Sequence, residues 1–298
     1  MIPITLSGLK SLGLAFAIIA GCALDGNAQQ RFRVHTVTDA EPLHLAIATQ
    51  APRDSRVDMV IRDGRRIITS NGVPSHRIGT FPNRGNPHRV AAQAYRFEVP
   101  VNPTARAATA LPRGASFGVA VNGVPFDPNA AEFWQGNPRS GWTYDALGGA
   151  VALGLDSNYG HVQPSGAYHY HGLPVGLLQQ LGWSLAAPSP LVGYAADGFP
   201  IYALTAMVDG EVVRMTSSYR LKSGQRPGGS APSGPHDGAF MQDYIYVAGA
   251  GKLDACNGAQ VVTAEYPNGA YAYFLTDTYP VVPRCLKGAM GQGFAKRR

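Results

Sequence analysis

The segment Tyr168-His169-Tyr170-His171 holds the side chains best suited to chemistry in this chain. Alternate residues of a β-strand share a face, so a strand here would direct His169 and His171 to one side, with Cα atoms roughly 6.5–7 Å apart. Tyr168 and Tyr170 would pack on the opposite side. Two imidazoles at that spacing can bind one metal ion, because zinc–nitrogen bonds are about 2.0–2.1 Å long. The segment therefore predicts a histidine-based metal site.

Two upstream residues extend this candidate site. His161 precedes His169 by eight residues, and the Pro164-Ser165-Gly166 turn between them can fold it back as a third ligand. We expect Asp156 either as a fourth ligand or as an acceptor that fixes the tautomer of an imidazole. Imidazole suits zinc, copper, iron and nickel, and the expected cofactor is a divalent transition metal, zinc or copper.

Other roles for these histidines stay open on the sequence. They could bind a ligand or catalyse without a metal, or they could hydrogen-bond to loop backbone and only order a glycine-rich region. His76 lies in a loop rich in Gly, Pro and Asn and is a further candidate for the site.

The composition predicts the kind of fold that must position these residues. Gly and Pro contribute 36 and 23 of the 298 residues, well above their average combined usage of about 12%. We expect a mainly β protein, a single β-rich, sandwich-like domain with long Gly/Pro-rich loops and one or two short helices. Asp63-Gly64 and Asp209-Gly210 predict hairpin turns, and Pro174–Leu185 contains the best helix candidate.

The charge distribution argues against a nucleic-acid partner. The formal net charge is +6 and the isoelectric point about 9.3, but basic residues occur singly or in pairs such as Arg65-Arg66. The sequence has no long basic stripe interleaved with aromatic residues, which is the pattern that phosphate and base contacts favour.

The N-terminus predicts export. Lys10 precedes an apolar run from Leu12 to Ala20, which is too short to span a bilayer but suits the core of a signal peptide. Ile19-Ala20-Gly21-Cys22 resembles a bacterial lipobox, in which Cys22 would carry the lipid, and cleavage after Gly26-Asn27-Ala28 is the rival. Either interpretation places the protein in the periplasm, in the cell envelope as a lipoprotein, or outside the cell. A membrane would be contacted only through this N-terminal lipid anchor.

The three cysteines agree with export. Once Cys22 is lipidated or removed, Cys256 and Cys285 remain as a natural pair in an oxidising compartment. Two unpaired buried thiols are the alternative. No C-x-x-C motif is present, so a thiolate zinc site is not expected.

Several motifs together give the chain a family resemblance. They are Asn71-Gly-Val-Pro74 with His76, Gly160-His161, Tyr168-His-Tyr-His-Gly-Leu-Pro174, Gly193-Tyr-Ala-Ala-Asp-Gly-Phe-Pro-Ile-Tyr202, Asp237-Gly238, Cys256-Asn-Gly258, and Tyr266-Pro-Asn-Gly269 through Arg284-Cys285. In this combination the chain resembles the Tyr-His-Tyr-His (YHYH) domain family of exported proteins. The resemblance implies one integrated domain and a disulfide between Cys256 and Cys285. It implies no reaction, because the family is defined by sequence.

The resemblance covers about residues 57–290, and together with the N-terminal pattern it sets the expected organisation of the chain. We assign a signal peptide, an N-terminal extension, the YHYH domain and a basic tail to residues 1–28, 29–56, 57–290 and 291–298. Two positions depart from the family pattern: Ala259 stands where Arg is expected, and His236 where Tyr is expected. The first departure argues against an anion-binding role near Ala259. The second argues against a functional role of His236 that is shared across the family.

The expected function is that of an exported protein with a histidine-based metal site, and a metal-dependent hydrolase is one form of it, because a bound ion can polarise a carbonyl or activate water. A non-catalytic envelope module that binds a glycan or peptide is the alternative, suggested by the 14 tyrosines, several beside Gly/Pro turns. The expected partner is a small molecule, glycan or peptide. Whether the protein is an enzyme stays open.

Overall fold

The computed structural model describes residues 54–295. The predicted signal peptide with Cys22, nearly all of the N-terminal extension and the last three residues of the basic tail lie outside this range. The fold is mainly β, as predicted. Within residues 54–295, none of the helices has the length and apolar character that crossing a membrane requires.

Short strands connected by turns and loops make up most of the regular structure. They are β1 (Val57–Arg62), β2 (Arg65–Ser70), β3 (Tyr95–Pro100), β4 (Thr109–Ala110), β5 (Gly118–Ala120), β6 (Pro125–Phe126), β7 (Gly160–Val162), β8 (Tyr168–Tyr170), β9 (Gly193–Ala195), β10 (Pro200–Ala203), β11 (Thr205–Val208), β12 (Glu211–Arg214), β13 (Tyr219–Leu221), β14 (Tyr244–Tyr246), β15 (Gly258–Val261), β16 (Ala270–Leu275) and β17 (Cys285–Leu286). Two short 3₁₀ helices cover Trp134–Gly136 and Met241–Asp243.

The predicted two-residue turns form hairpins. Asp63 and Gly64 adopt φ values of 50° and 70° between β1 and β2, and Asp209 and Gly210 adopt 50° and 84° between β11 and β12. Positive φ at both central residues matches the right-handed twist of the flanking strands, which explains the Asp-Gly sequence.

A short helix lies inside the segment that was predicted to contain it. It is α1 (Val175–Gln180), and Pro174 occupies its N-cap position. Leu177 and Leu178 are buried in the core. The chain leaves the helix at Gly182, whose φ of 71° lies in the left-handed region that helices commonly enter at their C-terminal end.

An eight-stranded mixed sheet, in the order β15-β16-β10-β9-β5-β6-β8-β7, forms the centre of the molecule. A second sheet, β1-β2-β3, directs Ile68, Phe97 and Val99 into the same hydrophobic core as Val119 and Ile201 of the large sheet. The shared core agrees with the predicted sandwich-like packing. The strand pair β8-β7 forms one edge of the large sheet.

A disulfide joins Cys256 to Cys285, with Cα atoms 5.2 Å apart. It connects the segment that leads into β15 with the start of β17. The pairing that the family resemblance implied is confirmed, and the alternative of two free thiols was wrong.

Replacing both cysteines by serine should lower the free energy of unfolding by about 3–4 kcal/mol, because the bridge closes a loop of 29 residues whose closure entropy the unfolded chain then regains. Urea unfolding of the oxidised protein and the double variant measures the difference. The reduced wild-type protein is the matched control and should unfold with the double variant. Equal midpoints for the oxidised protein and the variant would contradict the expectation.

Candidate metal centre

The pairing of β7 with β8 brings His161 to the two later histidines. The strands are antiparallel, and His161 lies directly opposite His169. Gly166, with φ of 84°, allows the connecting turn to close, and its N–H donates to the carbonyl of Gln163 at 2.8 Å. The predicted return of the chain across Pro164-Ser165-Gly166 is therefore present.

The three imidazoles form a nearly three-fold arrangement. Nε2 of His171 lies 3.0 Å from Nε2 of His169 and 3.1 Å from Nε2 of His161. The three ring centroids are 4.6–4.7 Å apart, and the ring planes meet at 74–75°. A ligand atom from each residue thus lies within 4.8 Å of the others, which is compatible with one shared metal ion.

Backbone carbonyls fix the orientation of two of the rings. Nδ1 of His161 lies 3.0 Å from the carbonyl oxygen of Leu153, and Nδ1 of His169 lies 3.3 Å from that of Ala167. A carbonyl can only accept, so in each neutral ring Nδ1 carries the proton and Nε2 presents its lone pair to the centre. Metal-binding histidines are commonly oriented by such a contact on the other ring nitrogen.

The donor set fits a tetrahedral transition-metal ion. Bonds of about 2.0–2.1 Å at tetrahedral angles separate ligand nitrogens by roughly 3.3 Å, close to the observed 3.0 and 3.1 Å. His169 and His171 are buried, each with 3% of its surface exposed, whereas His161 is partly exposed. A site with three protein ligands leaves one coordination position for water or a ligand.

The tyrosines pack on the opposite side of β8, as predicted. Both are fully buried, and the hydroxyl of Tyr170 contacts Nε2 of His76 at 2.5 Å and accepts from the amide of Asn122 at 2.9 Å. Nδ1 of His76 lies 2.8 Å from the carbonyl oxygen of Arg77. Burial lowers the pKa of His76, so the neutral ring donates to Arg77 and accepts from Tyr170.

This arrangement changes the expectation for His76. His76 contacts the hydroxyl of Tyr170 on the tyrosine side of β8 and is not part of the histidine cluster.

Asp156 is also placed differently from the prediction. Its Oδ1 accepts the N–H groups of Asn158 and Gly160 at 2.8 and 3.1 Å. Its Oδ2 accepts the hydroxyl of Tyr168 at 2.8 Å and the N–H of Gly79 at 3.0 Å. These donors direct the carboxylate to the tyrosine side, because the turn into β7 exposes backbone N–H groups that need an acceptor. Asp156 is not a member of the histidine cluster, and its predicted role as a ligand or imidazole partner has no support in this geometry.

A carboxylate that the sequence pattern did not indicate lies on the histidine side. Strand β6 runs parallel to β8, with Phe126 opposite Tyr170 and their rings 5.5 Å apart. Successive strand residues alternate faces, so Asp127 points to the side that carries His169 and His171. Asp127 is 2% exposed, and its N–H donates to the carbonyl of Tyr170 at 2.9 Å. A parallel pairing across more than 40 residues leaves no local signal in the sequence.

A cavity of about 640 Å³ opens beside this group. His169 and Asp127 contribute to its wall, and Tyr95 and Phe97 of β3 contribute on another side. Its size is in the range of about 300–1,000 Å³ that is typical of ligand sites. The histidine cluster is therefore next to a space that can hold a ligand.

The fold and the site define a β-domain protein with a three-histidine cluster at the edge of its main sheet. Residues 96–288 match the family model of the YHYH proteins. The chain belongs to this family, as the motifs indicated. No curated protein matches the chain, and no solved structure matches it.

Replacing Asp156 by asparagine should destabilise the protein without changing the amount of metal it holds. The amide would present N–H groups to at least one of the donors around Asp156, and each buried polar group left unsatisfied costs about 1–3 kcal/mol. Thermal unfolding and elemental analysis measure the two effects. A loss of bound metal from a folded Asp156→Asn protein would indicate that Asp156 is a metal ligand after all.

Proposed function

We propose that this is an exported metal-binding protein in which His161, His169 and His171 hold one divalent transition-metal ion, zinc or copper, through their Nε2 atoms. The observation that carries the proposal is the nearly three-fold convergence of three imidazoles, with Nε2 atoms 3.0 and 3.1 Å apart. Imidazole nitrogen is a preferred ligand of both ions.

A purely structural role explains this convergence less well. Histidines that only order a loop would direct their ring nitrogens to separate backbone partners. Here the Nδ1 atoms of His161 and His169 have such partners, while their Nε2 atoms point to a common centre. The Nε2 atoms of His161 and His169 lie 3.1 and 3.0 Å from Nε2 of His171, and one cation at their centre would accept a lone pair from every ring.

The proposed reaction is hydrolysis. A divalent ion held by three imidazoles supplies Lewis acidity and lowers the pKa of a water bound at its remaining position. Within the chain, the carbonyl contacts of His161 and His169 orient the ligands. The carboxylate of Asp127 lies on the same face of the sheet and borders the same cavity as His169. It could therefore accept a proton close to the reacting atoms.

A non-catalytic module that binds a glycan or peptide is the second candidate. The cavity favours it, because its wall combines aromatic and hydrogen-bonding side chains. In this case the ion would hold β7 and β8 together and would not react. Hydrolysis by the metal-loaded protein, lost on chelation and restored by zinc, distinguishes the first candidate from the second.

Export rests on the N-terminal sequence pattern, and the disulfide supports it. Structural disulfides persist in oxidising compartments such as the periplasm and the cell exterior, and the Cys256–Cys285 bridge is of this kind. Lipidation at Cys22 remains part of the proposal. Mass spectrometry of the mature N-terminus tests whether the protein carries a lipid there.

Protein purified without an affinity tag should contain about one zinc or copper ion per chain, and the double variant His169→Ala/His171→Ala should contain almost none, because one imidazole holds such an ion weakly. Elemental analysis at known protein concentration measures both. His236→Ala is the matched control: Nδ1 of His236 lies 3.1 Å from the carbonyl oxygen of Gly224, and the residue is not part of the cluster. Equal metal content in all three proteins would refute the metal site.

A further inference from the structure

The geometry points to a ligand for the cavity beside His169: we propose that it binds an uncharged oligosaccharide, with one end of the sugar chain next to the histidine centre. This inference rests on the proposed metal function for the role of that centre. The shape and lining of the cavity are independent of it.

The charges around the cavity favour an uncharged ligand. Arg96 and Asp127 are the charged side chains in its lining, one of each sign. The guanidinium of Arg96 is already paired with Glu98, at 3.1 Å between Nη2 and Oε2. A strongly anionic ligand would need basic groups in the wall, and a cationic ligand would be repelled by the proposed ion.

The hydrogen-bonding groups favour a ligand rich in hydroxyls. Gln163, Ser116 and Ser165 line the cavity together with Asp127. Amide, hydroxyl and carboxylate groups offer both donors and acceptors, and a sugar hydroxyl can use both. The volume of about 640 Å³ is greater than one sugar ring needs and suits a ligand of drug-like size.

Aromatic side chains form the apolar part of the lining. The ring of Tyr95 lies 5.3 Å from that of Phe97, which lies 4.8 Å from the ring of Phe294. Phe97 and Phe294 are almost fully buried and pack behind the ring of Tyr95, which is partly exposed. The partly exposed ring of Tyr95 beside hydrogen-bonding groups suits a sugar ring, which has apolar C–H faces and polar edges.

The strand edges near the cavity argue against a peptide ligand. Extended peptides commonly bind by adding a strand to an open sheet edge. On β7, the carbonyl of Val162 already accepts the amide of Asn86 at 2.8 Å, and the carbonyl of Gly160 accepts the N–H of Asp156 at 2.9 Å. On β3, Glu98 pairs with Gln292 in both directions.

Calorimetric titration of the zinc-loaded protein with neutral glucan, galactan and N-acetylglucosamine oligomers tests the proposal, with neutral tripeptides as a second arm. We expect saturable binding of at least one oligosaccharide. Ala94→Trp should weaken it at least about tenfold by filling the cavity rim, and Asp127→Asn should also weaken it. Ala92→Trp is the matched control, since Ala92 is exposed and is not part of the lining. Its affinity should equal that of the wild type.

The metal content of each preparation separates the two proposals. Oligosaccharide binding that Ala94→Trp weakens, in protein without metal, supports the cavity assignment and overturns the metal function. Metal-loaded protein that binds no oligosaccharide, binds tripeptides instead, or binds sugars equally well in Ala94→Trp and Ala92→Trp overturns the cavity assignment and leaves the metal function intact. Ala94→Trp alters an exposed residue, so the test does not depend on the folding of Asp127→Asn.

Discussion

The register between β7 and β8 is the constraint on which the histidine centre depends. His161 meets His169 because the two strands pair with these residues opposite each other. Side chains of a strand alternate with a period of two, so a slip of one residue would turn His161 towards the tyrosine side. The cluster would then lose its third ring. Any feature that fixes this register therefore also determines the geometry of the site, even when it lies far from the ring nitrogens.

Buried polar groups on the tyrosine side of β8 fix this register. The hydroxyls of Tyr168 and Tyr170 are satisfied only when they reach Asp156 and the pair of His76 and Asn122. A shifted strand would leave these groups buried without partners, at a cost of about 1–3 kcal/mol each. Apolar packing alone tolerates small shifts better than such a network does, because hydrogen bonds require specific distances and angles. The two tyrosines of the motif thus fix the position of its two histidines.

Local sequence patterns predicted several features of the fold and of the site. The alternation of side chains predicted which residues of Tyr168–His171 share a face, and the Asp-Gly pairs predicted two hairpins. The turn before Ala167 predicted that the chain folds back and brings His161 to the cluster. Each of these features depends on residues close together in the chain. The helix lies inside the segment that was predicted to contain it, and it ends early because the chain leaves the helical conformation after Leu181, at Gly182.

The residues that were misplaced or missed depend on contacts that are distant in sequence. Asp156 is near the histidines along the chain, but Gly79 and Tyr168 direct its carboxylate to the opposite side. His76 is drawn to Tyr170, 94 residues away. Asp127 joins the histidine face through a parallel pairing of β6 with β8. Parallel pairs require long crossover connections, so their register cannot be read from a turn as that of a hairpin can.

The orientation of the rings has a consequence for the energetics of metal binding. The carbonyls of Leu153 and Ala167 hold two imidazoles with their lone pairs at the centre before an ion arrives. Binding then loses little side-chain entropy, and preorganised sites are tighter for that reason. The third ring, that of His171, contacts both of the others through its Nε2 atom, at 3.0 and 3.1 Å. An ion that binds the folded state and not the unfolded chain raises stability by mass action. In this protein all three proposed ligands belong to the β7–β8 edge of the sheet, so this edge is the part of the fold that a bound ion would hold together directly.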